Sequence, residues 1–172
     1  MLMTLLVTGA AGFIGSAVAM TLLDRGEQVV GIDNLNDYYD PALKRARLER
    51  LKSAHDNAFT FEQVDFGEQE ALEAFASTYR FDRIVHLGAQ AGVRYSLINP
   101  QAYVRSNLMG QVNMLELARR QEAEHFVYAS SSSVYGGNET LPFRVEDRVD
   151  HPVSLYAATK KADELISESY AH

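Results

Sequence analysis

Cysteine is absent from the 172-residue sequence, which excludes disulfides and thiolate metal ligands. A chain without cysteine is consistent with a reducing compartment, and we expect the protein in the cytoplasm. Tryptophan is also absent and only four prolines occur. Hydrophobic residues nevertheless make up 47% of the chain and aromatic residues 10%, which is typical of a globular protein and argues against a largely disordered one.

Positive charge and long apolar runs are also scarce. Sixteen basic against 23 acidic side chains give a net charge of -7, so we expect no electrostatic attraction to nucleic acid or anionic lipid. No apolar run approaches the roughly 20 residues that span a bilayer, and the run before Gly9 predicts a strand rather than a signal peptide. The five histidines lack ligand spacing, so we expect no metal site.

Short apolar or β-branched runs alternate with helical patterns along the chain. Five buried strands are predicted at "MTLLVTG", "QVVGID", "FTFEQVD", "RIVHLGA" and "HFVYASS", with helices over 12–25, 41–53, 68–78, 100–120 and 153–170. Asn99 is predicted to cap the helix over 100–120, with Pro100 in its first turn. This alternation predicts parallel pairing and an α/β, doubly wound parallel sheet of the Rossmann type, in one domain over residues 1–172. The longest irregular stretch is predicted at 136–152, where glycine and proline interrupt any regular pattern.

The segment "VTGAAGFIGS" places three glycines between the first strand and the first helix. Gly9 permits the tight turn, Gly12 lets a pyrophosphate approach the backbone, and Gly15 lets the helix lie close to the sheet. The helix N-terminus offers free N–H groups and positive partial charge to the phosphates. The pattern therefore indicates a dinucleotide site, although glycine turns of this kind also occur for packing alone.

Acidic residues end the second and third predicted strands. Asp33 of "GIDN" can accept hydrogen bonds from the adenosine ribose hydroxyls, and its charge would repel a 2'-phosphate, which favours NAD over NADP. The alternative is that Asp33 only opens a solvent-facing loop. Asp65 is predicted either to meet the adenine or to cap the end of its strand.

The third candidate group lies near the end of the chain, in "YASSSSVYG" and "SLYAATKK". The serines follow the fifth strand, at the sheet edge where ligands of parallel sheets bind. A free tyrosine has a pKa of about 10 and is a poor base. Lys160 lies one helical turn after Tyr156, and its positive charge favours the phenolate form of Tyr156. Tyr156 can then exchange a proton with a substrate hydroxyl while Lys160 holds a nicotinamide ribose and a serine hydroxyl binds the same oxygen. The alternative is an exposed helix face without chemistry.

These segments, with "TGAAGFIG", "IDN", "HLGAQAGV", "SNLMG" and "YAATK", resemble the extended short-chain dehydrogenase/reductase family of nucleotide-sugar epimerases and dehydratases. The segments "DNLNDYYDPALKRARL", "QAGVRYSLINP" and "DHPVSLYAATKKA" are most similar to its bacterial UDP-glucuronate 4-epimerases. The resemblance implies that Ser131 is the catalytic serine, Tyr156 the base and Lys160 its helper. It also implies an NAD-binding set: Gly9, Gly12, Phe13, Ile14, Gly15, Asp33, Asn34, Asp65, Phe66, Leu87, Gly88, Ala89, Gln90, Asn107, Tyr156 and Lys160.

The resemblance further implies conversion of UDP-glucuronate to UDP-galacturonate by transient oxidation at the sugar C4, with NAD remaining bound. Helices corresponding to 100–120 and 153–170 build a dimer interface in the family, so a homodimer is expected. The alternative is that the apolar positions of these helices serve core packing alone. Family members are roughly twice as long, so we expect most of the substrate domain to be absent from these 172 residues. We expect it to bind NAD but to turn over UDP-sugars poorly. Gly88 replaces the usual alanine of "HLAAQ" and is expected to loosen the turn mildly.

Two other functions remain open at this stage. A dehydratase or decarboxylase of the same family is disfavoured because dehydratases commonly place an acidic pair beside the motif serine, where this chain has Ser132 and Ser133. The other alternative is a noncatalytic NAD-binding module.

His86 is interpreted as a core histidine with satisfied hydrogen bonds. A solvated helix face is predicted for the basic run Lys44, Arg45, Arg47, Arg50 and Lys52.

Overall fold

The computed structural model of the protein describes residues 4–172. Residue contacts divide the described chain into two compact units. Unit 1 contains the described residues up to Gly88 together with Glu116–Tyr128, and unit 2 contains Ala89–Leu115 and Ala129–His172. Within residues 4–172, none of the helices combines the length and apolarity needed to cross a membrane.

Unit 1 holds a five-stranded sheet in which every pairing is parallel. Its strands are β1 (Thr4–Thr8), β2 (Gln28–Asp33), β3 (Phe59–Gln63), β4 (Arg83–His86) and β5 (His125–Tyr128). The strand order β3-β2-β1-β4-β5 puts β1 in the centre, and the chain builds outward first on one side and then on the other. The predicted doubly wound parallel α/β fold is therefore confirmed. The direction reverses next to β1, which is where ligands of such folds bind.

Unit 1 holds three complete helices, of which the first packs against β1 and β2 and the second against β3. They are α1 (Phe13–Asp24), α2 (Pro41–Ala54) and α3 (Gln69–Ala76). Asp40 caps α2 by accepting a 2.8 Å hydrogen bond from the Ala42 N–H, and Pro41 occupies the first turn, where its missing N–H costs nothing. The main core cluster lies among β1, β2, β3, α1 and α2: Leu5, Val7, Ala10, Ala11, Ala19, Leu23, Val29, Leu48, Leu51 and Phe59.

Burial of all five strands was predicted, and this is wrong for β3 and β5. These two strands form the ends of the sheet and keep several exposed side chains, including Glu62 in β3 and Val127 in β5. An apolar or β-branched run predicts a strand well, but it does not reveal whether the strand lies in the centre of a sheet or at its edge.

One ion pair in unit 1 supports a stability prediction. Arg83 of β4 donates to both carboxylate oxygens of Glu27, at 3.1 and 2.8 Å, and this hydrogen bonding lowers the pKa of Glu27. We expect Glu27→Gln to lower the free energy of unfolding at neutral pH by about 1–2 kcal/mol. Because the folded-state pKa is lowered, this contribution is present above the ordinary glutamate pKa and is lost as pH falls through the lowered value.

Urea unfolding at several pH values measures this effect. The difference between Glu27→Gln and the unmodified protein should narrow at acidic pH. Glu49→Gln, which removes an exposed carboxylate from α2, is the matched control and should change little at any pH. If the difference in unfolding free energy between Glu27→Gln and the unmodified protein stays constant down to strongly acidic pH, the ionised Glu27 carboxylate is not the source of the stabilisation.

Unit 2 is mainly helical. It includes α4 (Pro100–Tyr103), a π-helical segment (Val104–Met109), the beginning of α5 (Gly110–Gln121) and α6 (Leu155–Tyr170). Asn99 caps α4 by accepting a 3.3 Å bond from the Ala102 N–H, as predicted. The prediction of one regular helix over 100–120 is wrong, because the π segment interrupts it. An apolar pattern with a period near 3.6 does not show a one-turn widening of this kind.

Candidate functional site

The glycine turn of unit 1 leaves the start of α1 open. Gly9 has a φ of 67°, and the Gly12 N–H donates to the Gly9 carbonyl oxygen at 2.8 Å, which closes the turn after β1. Among the described residues no side chain caps α1, and its first turn contains no acidic residue. Phe13 and Ile14 are exposed at that end. The first amide groups of α1 can therefore receive an anion.

Asp33 ends β2 as a buried carboxylate with a buried cation beside it. Its Oδ1 accepts a 2.8 Å hydrogen bond from the Leu35 N–H and lies 3.4 Å from Lys44 Nζ. Lys44 also donates to Asn36 Oδ1 at 3.1 Å. Asp33 therefore does more than open a solvent-facing loop, because Lys44 balances its charge.

The prediction of a solvated basic face is wrong for Lys44. Lys44, Leu48 and Leu51 are spaced at i, i+4 and i+7, and all three lie on the buried face of α2. That spacing was the signal that could have found Lys44. Of the other basic residues in the run, Arg45, Arg50 and Lys52 are exposed as predicted, and Arg47 is half-buried.

Arg47 of α2 reaches the glycine turn. Its Nη1 donates to the Ala11 carbonyl oxygen at 3.3 Å, and its guanidinium carbon lies 6.0 Å from the centre of the Phe13 ring. The spacing is at the outer limit of a cation–π contact. Arg47 therefore places a positive charge next to the backbone at which a pyrophosphate is predicted to bind.

The pair between Lys44 and Asp33 supports a second stability prediction. Lys44→Met keeps the length of the side chain and leaves the buried Asp33 carboxylate without its cation. We expect the free energy of unfolding to fall by about 1–3 kcal/mol, since a buried charge loses its partner. Chemical denaturation followed by circular dichroism measures the change. Lys52→Met removes an exposed lysine from the same helix and should stay within about 0.5 kcal/mol of the unmodified protein.

The end of β3 is organised by Asp65. Asp65 Oδ1 accepts a 2.9 Å hydrogen bond from the Gly67 N–H, and Oδ2 accepts one of 3.2 Å from Asn34 Nδ2. The capping role proposed for Asp65 is therefore present, while contact with an adenine stays a prediction. The buried ring of Phe66 packs edge-on against His86, with ring centres 5.0 Å apart.

Thr8 fixes the turn after β4, a role that sequence reasoning missed. Its Oγ1 accepts hydrogen bonds from the Leu87 and Gly88 N–H groups, at 3.1 and 2.9 Å, and lies 2.7 Å from His86 Nδ1. The two amides use both lone pairs of the Thr8 hydroxyl, so its single proton faces His86 Nδ1. The interpretation of His86 as a satisfied core histidine is confirmed.

Gly88 makes room for the ring of Phe66, and the mild loosening of the turn stays a prediction. A Cβ at Gly88 would lie 2.5 Å from Phe66 Cε1 and 3.1 Å from Thr8 Oγ1. Phe66 is buried, so an alanine at position 88 would force its ring to move. Gly88 also approaches Gly9, where an added Cβ would lie 2.9 Å from the Gly88 Cα.

In unit 2, Asn107 joins two segments through its buried amide. Asn107 Oδ1 accepts a 2.8 Å bond from the Gln90 N–H, and its Nδ2 donates to the Gln90 carbonyl oxygen at 3.2 Å and to Thr159 Oγ1 at 3.0 Å. The residue lies in the π segment. Its amide is thus occupied by the Gln90 backbone and α6, which gives Asn107 a positioning role. Ala89, which precedes Gln90 in the predicted NAD-binding set, is exposed.

Tyr156 lies in the first turn of α6 and is half-buried. Its ring packs edge-on against the fully buried Tyr103, with centres 6.0 Å apart. The Tyr103 hydroxyl donates to the Ala91 carbonyl oxygen at 2.8 Å and also contacts that of Gly92. Ser154 begins the helix by accepting a bond from the Ala157 N–H. These contacts hold the Tyr156 ring at the start of a helix within unit 2.

Ser131 caps the short 3₁₀ helix Ser132–Tyr135. Its Oγ accepts a 3.1 Å hydrogen bond from the Ser133 N–H, which leaves the hydroxyl proton for another acceptor. The neighbouring Ser130 instead donates to Glu164 Oε1 at 2.5 Å. The two serines therefore have different partners, and Ser131 is the one able to donate to a ligand.

Lys160 is buried and paired with a carboxylate that sequence reasoning did not single out. Its Nζ donates to Asp163 Oδ2 at 2.8 Å, and both side chains are almost completely buried. Burial raises the pKa of Asp163 above its ordinary value, while Lys160 acts in the opposite direction. The buried side of α6 comprises Ala157, Thr159, Lys160 and Asp163.

The predicted site residues therefore form two groups. Unit 1 contains the glycine turn, Asp33, Asn34, Asp65, Phe66, Leu87 and Gly88, and unit 2 contains Ala89, Gln90, Asn107, Ser131, Tyr156 and Lys160. Over residues 4–172, no three His, Asp or Glu side chains are grouped so that they could hold a metal ion. The first group can bind an anionic dinucleotide, and the second can donate and accept protons.

Comparisons with known proteins cover almost the whole chain. A family model described as GDP-mannose 4,6 dehydratase matches residues 6–172. An uncharacterized protein of Methanocaldococcus jannaschii is 54% identical over 170 residues, which are 98% of this chain and 52% of that protein. UDP-glucuronate 4-epimerase 1 of Arabidopsis thaliana is 51% identical over 170 residues, covering 98% of this chain and 39% of that protein.

A solved structure shows the same fold. It is a mutant UDP-glucuronic acid 4-epimerase from Bacillus cereus in complex with UDP-4-deoxy-4-fluoro-glucuronic acid and NAD. The identity is 32% and the TM-score 0.83, over 98% of this chain and 52% of that one. The chain thus spans about half the length of the first curated relatives that it matches.

Proposed function

Because the chain belongs to the GDP-mannose 4,6 dehydratase family of NAD-dependent epimerases and dehydratases, we propose that it is the NAD-binding portion of a UDP-glucuronate 4-epimerase. The reaction is interconversion of UDP-glucuronate and UDP-galacturonate in the protein that carries these residues. The observation that supports it most is that Tyr156 and the buried Lys160 stand one turn apart on α6 in a chain about half identical to named UDP-glucuronate 4-epimerases.

The glycine turn and its neighbours fit NAD. The uncapped amide groups of α1 and the nearby Arg47 guanidinium suit a pyrophosphate. Both recorded hydrogen bonds to Asp33 use Oδ1, which leaves Oδ2 to accept from a ribose hydroxyl. The proposed set of NAD contacts is the one given by sequence: Gly9, Gly12, Phe13, Ile14, Gly15, Asp33, Asn34, Asp65, Phe66, Leu87, Gly88, Ala89, Gln90, Asn107, Tyr156 and Lys160.

The hydroxyl and ammonium groups of unit 2 suit the proton chemistry of the reaction. NAD, when bound, supplies hydride acceptance and return at the sugar C4. Tyr156 removes and returns the proton of the C4 hydroxyl through its phenol oxygen, and Ser131 donates its free hydroxyl proton to the same sugar oxygen. Lys160 lies one turn after Tyr156 on α6, and its ammonium would hold the nicotinamide ribose.

Two broader parts of the proposal concern assembly and location. Val104, Met109 and Leu165 present apolar side chains to solvent on the helices that the family resemblance assigns to a dimer interface. We propose a cytoplasmic homodimer. Sedimentation equilibrium measures the mass in solution, and a monomer at high protein concentration would contradict the dimer.

The central experiment separates the candidate reactions. Isothermal titration calorimetry measures NAD binding to the 172-residue protein, and NMR follows UDP-glucuronate mixed with NAD and a longer protein that carries this chain. Formation of UDP-galacturonate, which has the same mass as the UDP-glucuronate supplied, supports the epimerase. A product that has lost water or carbon dioxide identifies the dehydratase or decarboxylase alternative. NAD binding without any sugar product in a longer protein that carries the chain favours the noncatalytic module, and absence of NAD binding overturns the proposal.

A further inference from the structure

Lys160 has an almost completely buried acidic partner on the next turn of α6. We propose that Asp163 is a positioning residue, whose carboxylate holds the Lys160 ammonium in place. This inference rests on the proposed function, because it adds a residue to the proton-handling group of Tyr156, Lys160 and Ser131. Asp163 acts through Lys160 and is not placed against substrate or cofactor.

The geometry of the pair supports a dedicated partnership. Lys160 Nζ lies 2.8 Å from Asp163 Oδ2, and the exposed fractions of the two side chains are 6% and 1%. The other oxygen, Oδ1, is buried and has no hydrogen-bond partner in the described part of the chain. An ammonium has three N–H donors, so one serves Asp163 and two remain for a ribose and a phenol oxygen.

No other cation is recorded within ion-pair distance of Asp163 among residues 4–172. Glu164 acts on Asp163 as a like charge, but its carboxylate is shared by Lys161 at 3.3 Å and Ser130 at 2.5 Å. The elements that pack against α6 carry these titratable side chains: Tyr95, Tyr103, Arg105 and Tyr135. Arg105 is exposed. Lys160 is therefore the cation that balances Asp163, and Asp163 is the anion that balances Lys160.

A buried ion pair makes a specific prediction about its two members. Removing one charge leaves the other buried and uncompensated, which is strongly destabilising, whereas removing both is often nearly neutral. If Asp163 acts only through Lys160, its replacement should lower stability and NAD affinity in the presence of Lys160. In the Lys160→Met background the same replacement should restore stability and leave NAD affinity unchanged. A side chain that served packing alone would have the same effect in both backgrounds.

The test uses Asp163→Asn, Lys160→Met and the double variant. NAD affinity is measured by calorimetry and stability by urea unfolding without NAD. We expect Asp163→Asn to weaken NAD binding about tenfold when Lys160 is present, as for the loss of one charged hydrogen bond, and to have no effect in the Lys160→Met background. Asp163→Glu should restore part of the affinity. Glu168→Gln, which removes an exposed carboxylate from the same helix, is the control and should bind NAD normally.

The Asp163→Glu rescue is a readout that packing would not change, because the longer side chain restores the carboxylate but not the shape of aspartate. A deficit that is equal in the Lys160→Met background, or no recovery of affinity in Asp163→Glu, would overturn the proposal. So would normal affinity of Asp163→Asn throughout.

Poor folding of Asp163→Asn is also informative. If Asp163→Asn unfolds but the double variant folds, the carboxylate serves to balance Lys160 and the proposal is supported. If both unfold, Asp163 has a structural role that is independent of Lys160 and the proposal is lost. If the unmodified protein does not bind NAD, the proposed function fails, while the unfolding measurements still decide the role of Asp163.

Discussion

Gly15→Ala is expected to abolish measurable NAD binding and to destabilise the protein. A Cβ at position 15 would lie 2.0 Å from the Gly9 carbonyl oxygen and 2.7 Å from the Gly9 carbonyl carbon. Both atoms belong to the backbone, so no side-chain rotation relieves the clash. The methyl group would push α1 away from the end of β1, and the buried Ala19 and Leu23 would lose their packing. We expect a loss of at least about 3 kcal/mol, the upper part of the range for overpacking.

The binding loss follows from the same displacement. The amide groups of α1 and the turn at Gly9 have to face the pyrophosphate together, and moving the helix separates them. Calorimetry with NAD and urea unfolding measure the two effects. Gly137→Ala is the matched control, because an added Cβ there has no neighbour within 4 Å. Retention of NAD affinity by Gly15→Ala would show that the glycine turn is not the dinucleotide site.

Features that depend on neighbouring residues in sequence could be predicted. The alternation of strands and helices gave the parallel sheet, and the spacing of Gly9, Gly12 and Gly15 gave a turn whose first helical amides are open. Asn99 was recognised as a helix cap from its position before Pro100. The family resemblance drawn from the motifs is confirmed by a family model that matches residues 6–172. The roles of individual site residues stay predictions.

Features that depend on distant residues could not be predicted from local patterns. The Thr8 hydroxyl binds amides near residue 88, and nothing in "VTG" indicates that contact. Asp163 was passed over because an acidic residue three positions after a lysine usually lies on a solvated helix face. A charged residue spaced at i, i+4 and i+7 with two leucines lies on the buried face of a helix and requires a buried partner of opposite charge. That rule would have identified Lys44, whose partner is Asp33.

Tyr156→Phe is expected to leave the fold and NAD affinity nearly unchanged and to remove most of the turnover. Phenylalanine retains the ring that packs against Tyr103 and lacks only the hydroxyl that exchanges the proton. Loss of a general acid–base group costs about 10²–10⁴-fold in rate, so we expect a decrease of about a thousandfold. NAD affinity is measured on the 172-residue chain, and turnover of UDP-glucuronate is measured by NMR on a longer protein that carries it.

Tyr39→Phe is the matched control, because Tyr39 is exposed on the loop before α2 and belongs to neither site group. It should bind NAD and turn over the sugar as the unmodified protein does. A combined loss of NAD affinity and turnover in Tyr156→Phe would indicate a binding role for the hydroxyl. Unchanged turnover would exclude Tyr156 as the base.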